Sequence, residues 1–167
     1  MKLLLIMPSF FNYPDLIKEE LNIMGYEVDF FDDRPSTNAW VKAAIRINKK
    51  LISMYIKNYF ERIMKIVKTK KYDVVFLISG QSLSFSKDMI AEIKTCQLQA
   101  KFVLYQWDSQ TNFPYIKLVH EYFDKCYTFD RRDMDEDPEL KFLPLFYSRT
   151  YEEIGKKNKR EFVTTQN

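Results

Sequence analysis

The segment Tyr105-Gln106-Trp107-Asp108-Ser109 follows the apolar run Lys101-Phe102-Val103-Leu104 and sets an indole, a carboxylate and a hydroxyl side by side. A carboxylate within hydrogen-bond reach of a substrate hydroxyl can accept its proton. Asp108 is therefore the candidate catalytic base, with Trp107 and Ser109 as candidate ligand contacts. The same residues have plainer readings: Asp108 as a turn or N-cap acid ahead of Phe113-Pro114, and Trp107 as a ring that closes the core. The next apolar run, Phe123 to Phe129, also ends on an acid, Asp130. Asp130 suits a ligand contact or the cap of a helix starting at Arg131. Two earlier loops, Ser9-Phe10-Phe11 and Ser79-Gly80-Gln81, would flank the same crevice. Gly80 there allows close backbone approach to a ligand, or simply a tight turn.

The elements that must position these groups follow from hydrophobic period. Strands are expected at Lys2 to Met7, Tyr26 to Phe31, Tyr72 to Ile78, Lys101 to Tyr105 and Phe123 to Phe129, with a sixth at Lys141 to Leu145. Between them, helical spacing covers Pro14 to Met24, a long stretch from Asn38 to Lys70, Ser86 to Cys96, and Phe113 to Glu121. Such alternation predicts an α/β, Rossmann-like, open and mostly parallel sheet of five or six strands with helices on both faces. The ligand edge of such a sheet is its carboxyl rim. Residues 1–150 form that domain and 151–167 a polar, basic tail or linker stub. A chain of 167 residues with 46% hydrophobic content suits one domain that buries about two-thirds of its unfolded surface.

Several functions are excluded by what the loops lack. The turn after the first strand, Pro8-Ser9-Phe10-Phe11-Asn12, has no glycine, and only 3 glycines exist in the chain. Neither a dinucleotide fingerprint nor a P-loop can be built from them. A phosphate-accepting receiver domain would carry acids just past strand one and at the end of strand three. Those places hold Pro8-Ser9 and Ser79-Gly80, while Asp32 and Asp33 follow strand two, where acids commonly mark a turn. The single histidine, His120, sits on an apolar-flanked helix and reads as a packing residue. No metal site and no cofactor are expected. Cys96 and Cys126 share no ligand spacing and read as reduced thiols of a cytoplasmic protein. The apolar start is too short for a signal sequence, and no run approaches a membrane span.

Charge is concentrated in one place. Residues 41–71 hold ten basic side chains against Glu61, so this segment is +9 and the rest of the chain is −6 of a net +3. Its apolar residues make a stripe, and the basic flanks read either as a solvated outer face or as an anionic-membrane surface carried by Lys49, Lys50, Lys57, Arg62 and Lys65. Nucleic acid is not the expected partner, because the interleaved aromatics lie on the apolar stripe.

The strands Lys71 to Ile78, Phe102 to Ser109, Phe123 to Asp130 and the late Phe142-Leu143-Pro144-Leu145 resemble, in order and content, the N-terminal half of a GT-B glycosyltransferase. The resemblance is to CgeB-like and related capsule or lipopolysaccharide enzymes, and it spans about residues 1–150. It implies an acceptor-binding domain of bacterial polysaccharide assembly. The acceptor would be a glycan or lipid-linked glycan contacted by Ser9, Phe10, Ser79, Gly80, Gln81, Trp107, Ser109 and Asp130, with Asp108 as base. It also implies a separate donor-binding domain or chain, since no counterpart follows Leu145, and a site at the inner membrane face. Two other readings stand beside it: a non-catalytic binding or scaffolding domain, and a flavodoxin-like small-ligand domain.

Overall fold

The computed structural model describes residues 1–36, 38–80 and 83–157, without the side chains of residues 42, 44–46, 49 and 51. Six strands form one sheet: β1 (Lys2–Met7), β2 (Glu27–Asp32), β3 (Val74–Ser79), β4 (Lys101–Gln106), β5 (Lys125–Thr128) and β6 (Lys141–Phe142). All pairings are parallel and the spatial order is β2-β1-β3-β4-β5-β6. The expected α/β sheet with helices on both faces is what the chain forms. β1 is buried at five consecutive positions, as a central parallel strand covered on both sides must be.

The helices are α1 (Tyr13–Ile23), α2 (Ala39–Ile47), α3 (Ser53–Val67), α4 (Lys87–Cys96), α5 (Arg131–Glu136) and α6 (Arg149–Lys157). A 3-10 helix, Pro114–Tyr122, joins β4 to β5. α1 starts with Pro14 in its first turn, and stops in a Schellman arrangement. There Gly25 at φ +90° donates to the Asn22 carbonyl (2.9 Å) and Tyr26 donates to that of Leu21 (3.0 Å). The single helix expected from Asn38 to Lys70 is interrupted. Asn48 adopts extended backbone and its side chain accepts from the Lys50 amide, starting a short 3-10 turn before α3. An Asn that caps its own downstream backbone competes with helix continuation. The first part of the stretch expected as a tail, up to Lys157, belongs to α6, and the rest of it lies outside the described residues.

The two faces of the sheet differ in depth. Among the described residues, nineteen buried hydrophobics fill the face under α3, α4 and the 3-10 helix, including Phe60, Ile63, Val67, Phe85, Ile90 and Ile116. Six fill the opposite face, where Leu3, Leu5 and Met7 meet α1 through Tyr13, Ile17 and Leu21. The first face is stitched by Gln97, which is 3% exposed. Its Oε1 accepts from the Tyr72 amide (3.1 Å) while its Nε2 donates to the carbonyls of Val67 (2.8 Å) and Lys70 (2.9 Å). Gln97→Leu would leave buried backbone groups unpaired, so a loss of about 2–3 kcal/mol is expected in urea denaturation. Unchanged stability would show that the stitch is dispensable.

The order β2-β1-β3-β4-β5 is flavodoxin-like, with its switch point between β1 and β3. That order directs attention to the carboxyl ends of β1, β3 and β4.

Candidate functional site at the carboxyl rim

Parallel pairing puts the carboxyl ends of all strands on one rim. The loop after β1 carries Phe10 and Phe11, the latter at φ +49° and 81% exposed. Across the switch point, the Trp107 amide donates to the Ser79 carbonyl (3.0 Å) and its indole lies over Gly80. A Cβ at position 80 would stand 2.8 Å from Trp107 Nε1 and 3.3 Å from the Asp108 Cβ. The close approach that Gly80 permits is therefore made by the protein's own ring. Phe10 and Tyr13 hold that ring edge-on, with centroids 6.4 and 6.3 Å away, and Phe146 in turn packs on Tyr13 at 5.3 Å. On its β1 and β4 sides, the crevice expected to admit a carbohydrate is lined by protein aromatics.

Asp108, Ser109 and Asp130 are engaged locally, whereas the buried Ser79 Oγ has no hydrogen-bond partner among the described residues. Asp108 Oδ1 accepts from its neighbour's amide at Ser109 (3.1 Å) and from Asn112 Nδ2 (3.0 Å), so it organises the turn toward Phe113. Ser109 is buried and its Oγ accepts from the Asn112 amide (3.3 Å). Asp130 caps α5 by accepting from the Arg132 amide (3.0 Å). Ser79 is buried at the end of β3. Gln81 lies outside the described residues, and so does the side chain of Lys49. Lys50, Lys57, Arg62 and Lys65 are exposed; those on α3 lie away from its buried stripe of Ile56, Phe60, Ile63 and Val67. Lys57 lies 3.9 Å from Glu61, and the Arg62 guanidinium lies over the Tyr59 ring.

The acids after β2 form a closed cluster rather than an open one. Asp33 and Arg34 are 0% and 6% exposed. Arg34 Nε lies 3.2 Å from Asp32 Oδ1 and 3.3 Å from Asp33 Oδ1, and its Nη2 donates to the Ser9 carbonyl (2.8 Å). The Ser9 amide donates to Asp32 Oδ2 (3.2 Å), and Ser84 donates through both its amide and its Oγ to the Asp33 carbonyl. Tyr59 donates to the Asp32 carbonyl (2.9 Å), and burial with two nearby carboxylates pushes its hydroxyl up to about 12. Arg34 thus neutralises the acids and ties the β1 and β2 loops together. No group of three or more metal-ligating side chains occurs among the described residues.

A second polar cluster, not anticipated from the sequence, lies at the ends of β4 and β5. Asp133 is 3% exposed and accepts from Thr128 Oγ1 (2.8 Å), the Gln110 amide (3.0 Å) and Gln106 Nε2 (3.4 Å). Gln106 in turn contacts His120. The signal was available: Gln106 and Thr128 are polar residues inside apolar strands, and polar groups there need buried partners.

No family model and no curated protein matches the chain. Among solved structures it is similar to the response regulator TrrA of Thermotoga maritima in complex with Mg2+-BeF, at 22% identity and TM-score 0.45, covering 83% of this chain and 95% of that one. It is also similar to a two-component response regulator of Clostridium difficile (13%, TM-score 0.48, 93% and 94%). A CheY-like receiver domain of Methylobacillus flagellatus gives 15%, 0.46, 83% and 94%. The flavodoxin-like fold itself rests on the strand order; these neighbours are receiver domains, not glycosyltransferases. They correct the expected GT-B membership and its consequences, namely a polysaccharide-assembly role, a glycan or lipid-linked glycan acceptor and a donor-binding partner at a membrane face. The short apolar strand motifs behind that resemblance are ones any doubly wound sheet needs.

Two measurements follow. Gly80→Ala forces its new methyl into the indole and should cost about 1–3 kcal/mol. Trp107→Ala on the same background should recover part of that loss in a double-mutant cycle, and strict additivity would show that the two residues do not touch. Burial also holds His120 below its ordinary value of 6.5, although Asp137 pulls the other way. The unfolded chain then binds that proton more tightly than the folded one, so stability should rise with pH up to about 6.5 and level off above it. His120→Gln should flatten that part of a pH series of urea melts.

Proposed function

We propose that the chain is a non-catalytic, receiver-like binding or scaffolding domain that works in the cytoplasm by docking on another protein. The observation that carries this reading is the indole of Trp107 packed against Gly80 at the rim, beside the switch point where the fold commonly admits a ligand. Phosphoryl transfer is disfavoured by the same rim. β3 ends on Ser79, Pro8-Ser9 follow β1, and the nearby acids Asp32 and Asp33 are held by Arg34. Docking is favoured by the exposed apolar side chains Phe11, Tyr147, Tyr151 and Ile154, which border a cleft of about 610 Å³ beside α1. A cytoplasmic setting agrees with two unpaired cysteines, and no described helix is long and apolar enough to cross a membrane.

The test is incubation of the full chain with acetyl phosphate or beryllofluoride and Mg2+, followed by NMR and intact mass. Unchanged amide shifts around Ser9, Asp33 and Ser79 and unchanged mass are expected. An acyl phosphate on Asp32 or Asp33 would instead make it a phosphorylated receiver and overturn the non-catalytic reading. For the docking half, a photo-crosslinking residue at position 147 should couple to a protein, whereas one at position 57 should not. Equal coupling at both positions counts against a specific surface.

A further inference from the structure

The chain's single histidine stands where two demands oppose each other. Asp133 receives hydrogen bonds from three sides, one of them from Gln106 Nε2. That contact sets the Gln106 amide, since the reversed orientation would put its oxygen against a carboxylate oxygen. Gln106 Oε1 is then left facing His120 Nε2 at 2.6 Å, and Nε2 must carry a proton to donate to it. On the other side of the ring, His120 Nδ1 lies 3.3 Å from Asp137 Oδ2. A neutral imidazole has one N–H, already given to Gln106, so its Nδ1 lone pair would meet a carboxylate. Only the imidazolium satisfies both neighbours, while burial of the ring favours the neutral form.

Asp137 is well placed to transmit the outcome. Its Oδ1 accepts from the Glu139 amide (3.2 Å) and its carbonyl from the Leu140 amide (3.1 Å), so it holds the turn from α5 into β6. We propose that Asp133, Gln106, His120 and Asp137 form a proton-operated latch. Protonated His120 clamps the α5–β6 turn onto the 3-10 helix, and neutral His120 releases it. The other charged groups around the ring come from each packed element. Lys117 of the same helix opposes protonation but is paired with Glu136 of α5 at 3.2 Å. Asp133 of α5 favours protonation. Cys126 of β5 places its thiol 4.0 Å from the His120 carbonyl, and burial pushes that thiol up to about 12, so it stays uncharged. Asp124, Lys125, Glu139 and Lys141 line, with His120, a cavity of about 260 Å³ beside it. The latch depends on none of the docking contacts above.

One histidine makes the test direct: 15N NMR titration of the ring in the full chain, with the amides of Glu139 and Leu140 followed in parallel. In the natural sequence the neutral ring should carry its proton on Nε2, and the Glu139 and Leu140 shifts should titrate with the ring's midpoint. Asp137→Ala should lower that midpoint by roughly half a unit or more, a threefold loss of proton affinity. It should also leave the two amides at the released position at every pH. Asp137→Asn can donate its amide to neutral Nδ1 and should keep them clamped across the histidine range. An Nδ1–H tautomer overturns the proposal, and that observation needs no variant. So does a midpoint unmoved by Asp137→Ala, or an α5–β6 turn indifferent to the ring's charge.

Discussion

The contact between the Trp107 indole and the bare backbone of Gly80 sets the terms for the whole carboxyl rim. It exists because β3 and β4 pair in parallel to their last residues, Ser79 opposite Gln106, so the residues that follow emerge side by side. With no side chain at 80, the indole can lie down across the switch point, and Phe10 and Tyr13 close on it from the β1 side. An open α/β sheet leaves a crevice there by topology. Here the topology is kept, and the protein's own aromatic rings line the crevice beside Gly80.

Two polar clusters flank that centre, and in each a buried carboxylate is set among polar neighbours. A buried charged or hydrogen-bonding group must be fully partnered or it costs several kcal/mol. At the β2 end, Arg34 reaches Asp32, Asp33 and the Ser9 carbonyl together. At the β4 and β5 ends, Asp133 gathers Thr128, Gln106 and the Gln110 amide. Each cluster spans at least two loops, so the rim is held by side-chain polar bonds where the sheet ladder ends. The exposed ion pairs on the outer face of α3, such as Lys57 with Glu61, contribute little to the fold.

The strands were legible because buried parallel strands are continuous apolar runs, and the end of α1 was legible because Gly25 can take positive φ. The interruption at Asn48 was not, since its polar side chain fits a helix surface as well as a cap. At the rim the sequence left each side chain two directions, toward a ligand or back into its own turn, and spacing alone does not choose between them. For Asp108 the structure gives the turn reading ahead of Phe113-Pro114, its carboxylate accepting from the Ser109 amide and Asn112. Asp133 was hidden in the acid-rich run Asp130 to Asp137, where only three-dimensional packing distinguishes one buried carboxylate from its exposed neighbours. The GT-B resemblance drew on the same apolar runs that determine the sheet, which specify strands and say little about what binds at their ends.

The unequal depth of the two faces has a dynamic consequence. Local opening starts where the fewest apolar contacts must be broken. The shallow side, with six buried hydrophobics under α1, can detach while the thicker layer beneath α3 and α4 stays intact. Tyr13 and Phe146, which brace the tryptophan, belong to that looser side. Brief excursions of the first helix would thus uncover the indole long before the domain as a whole unravels.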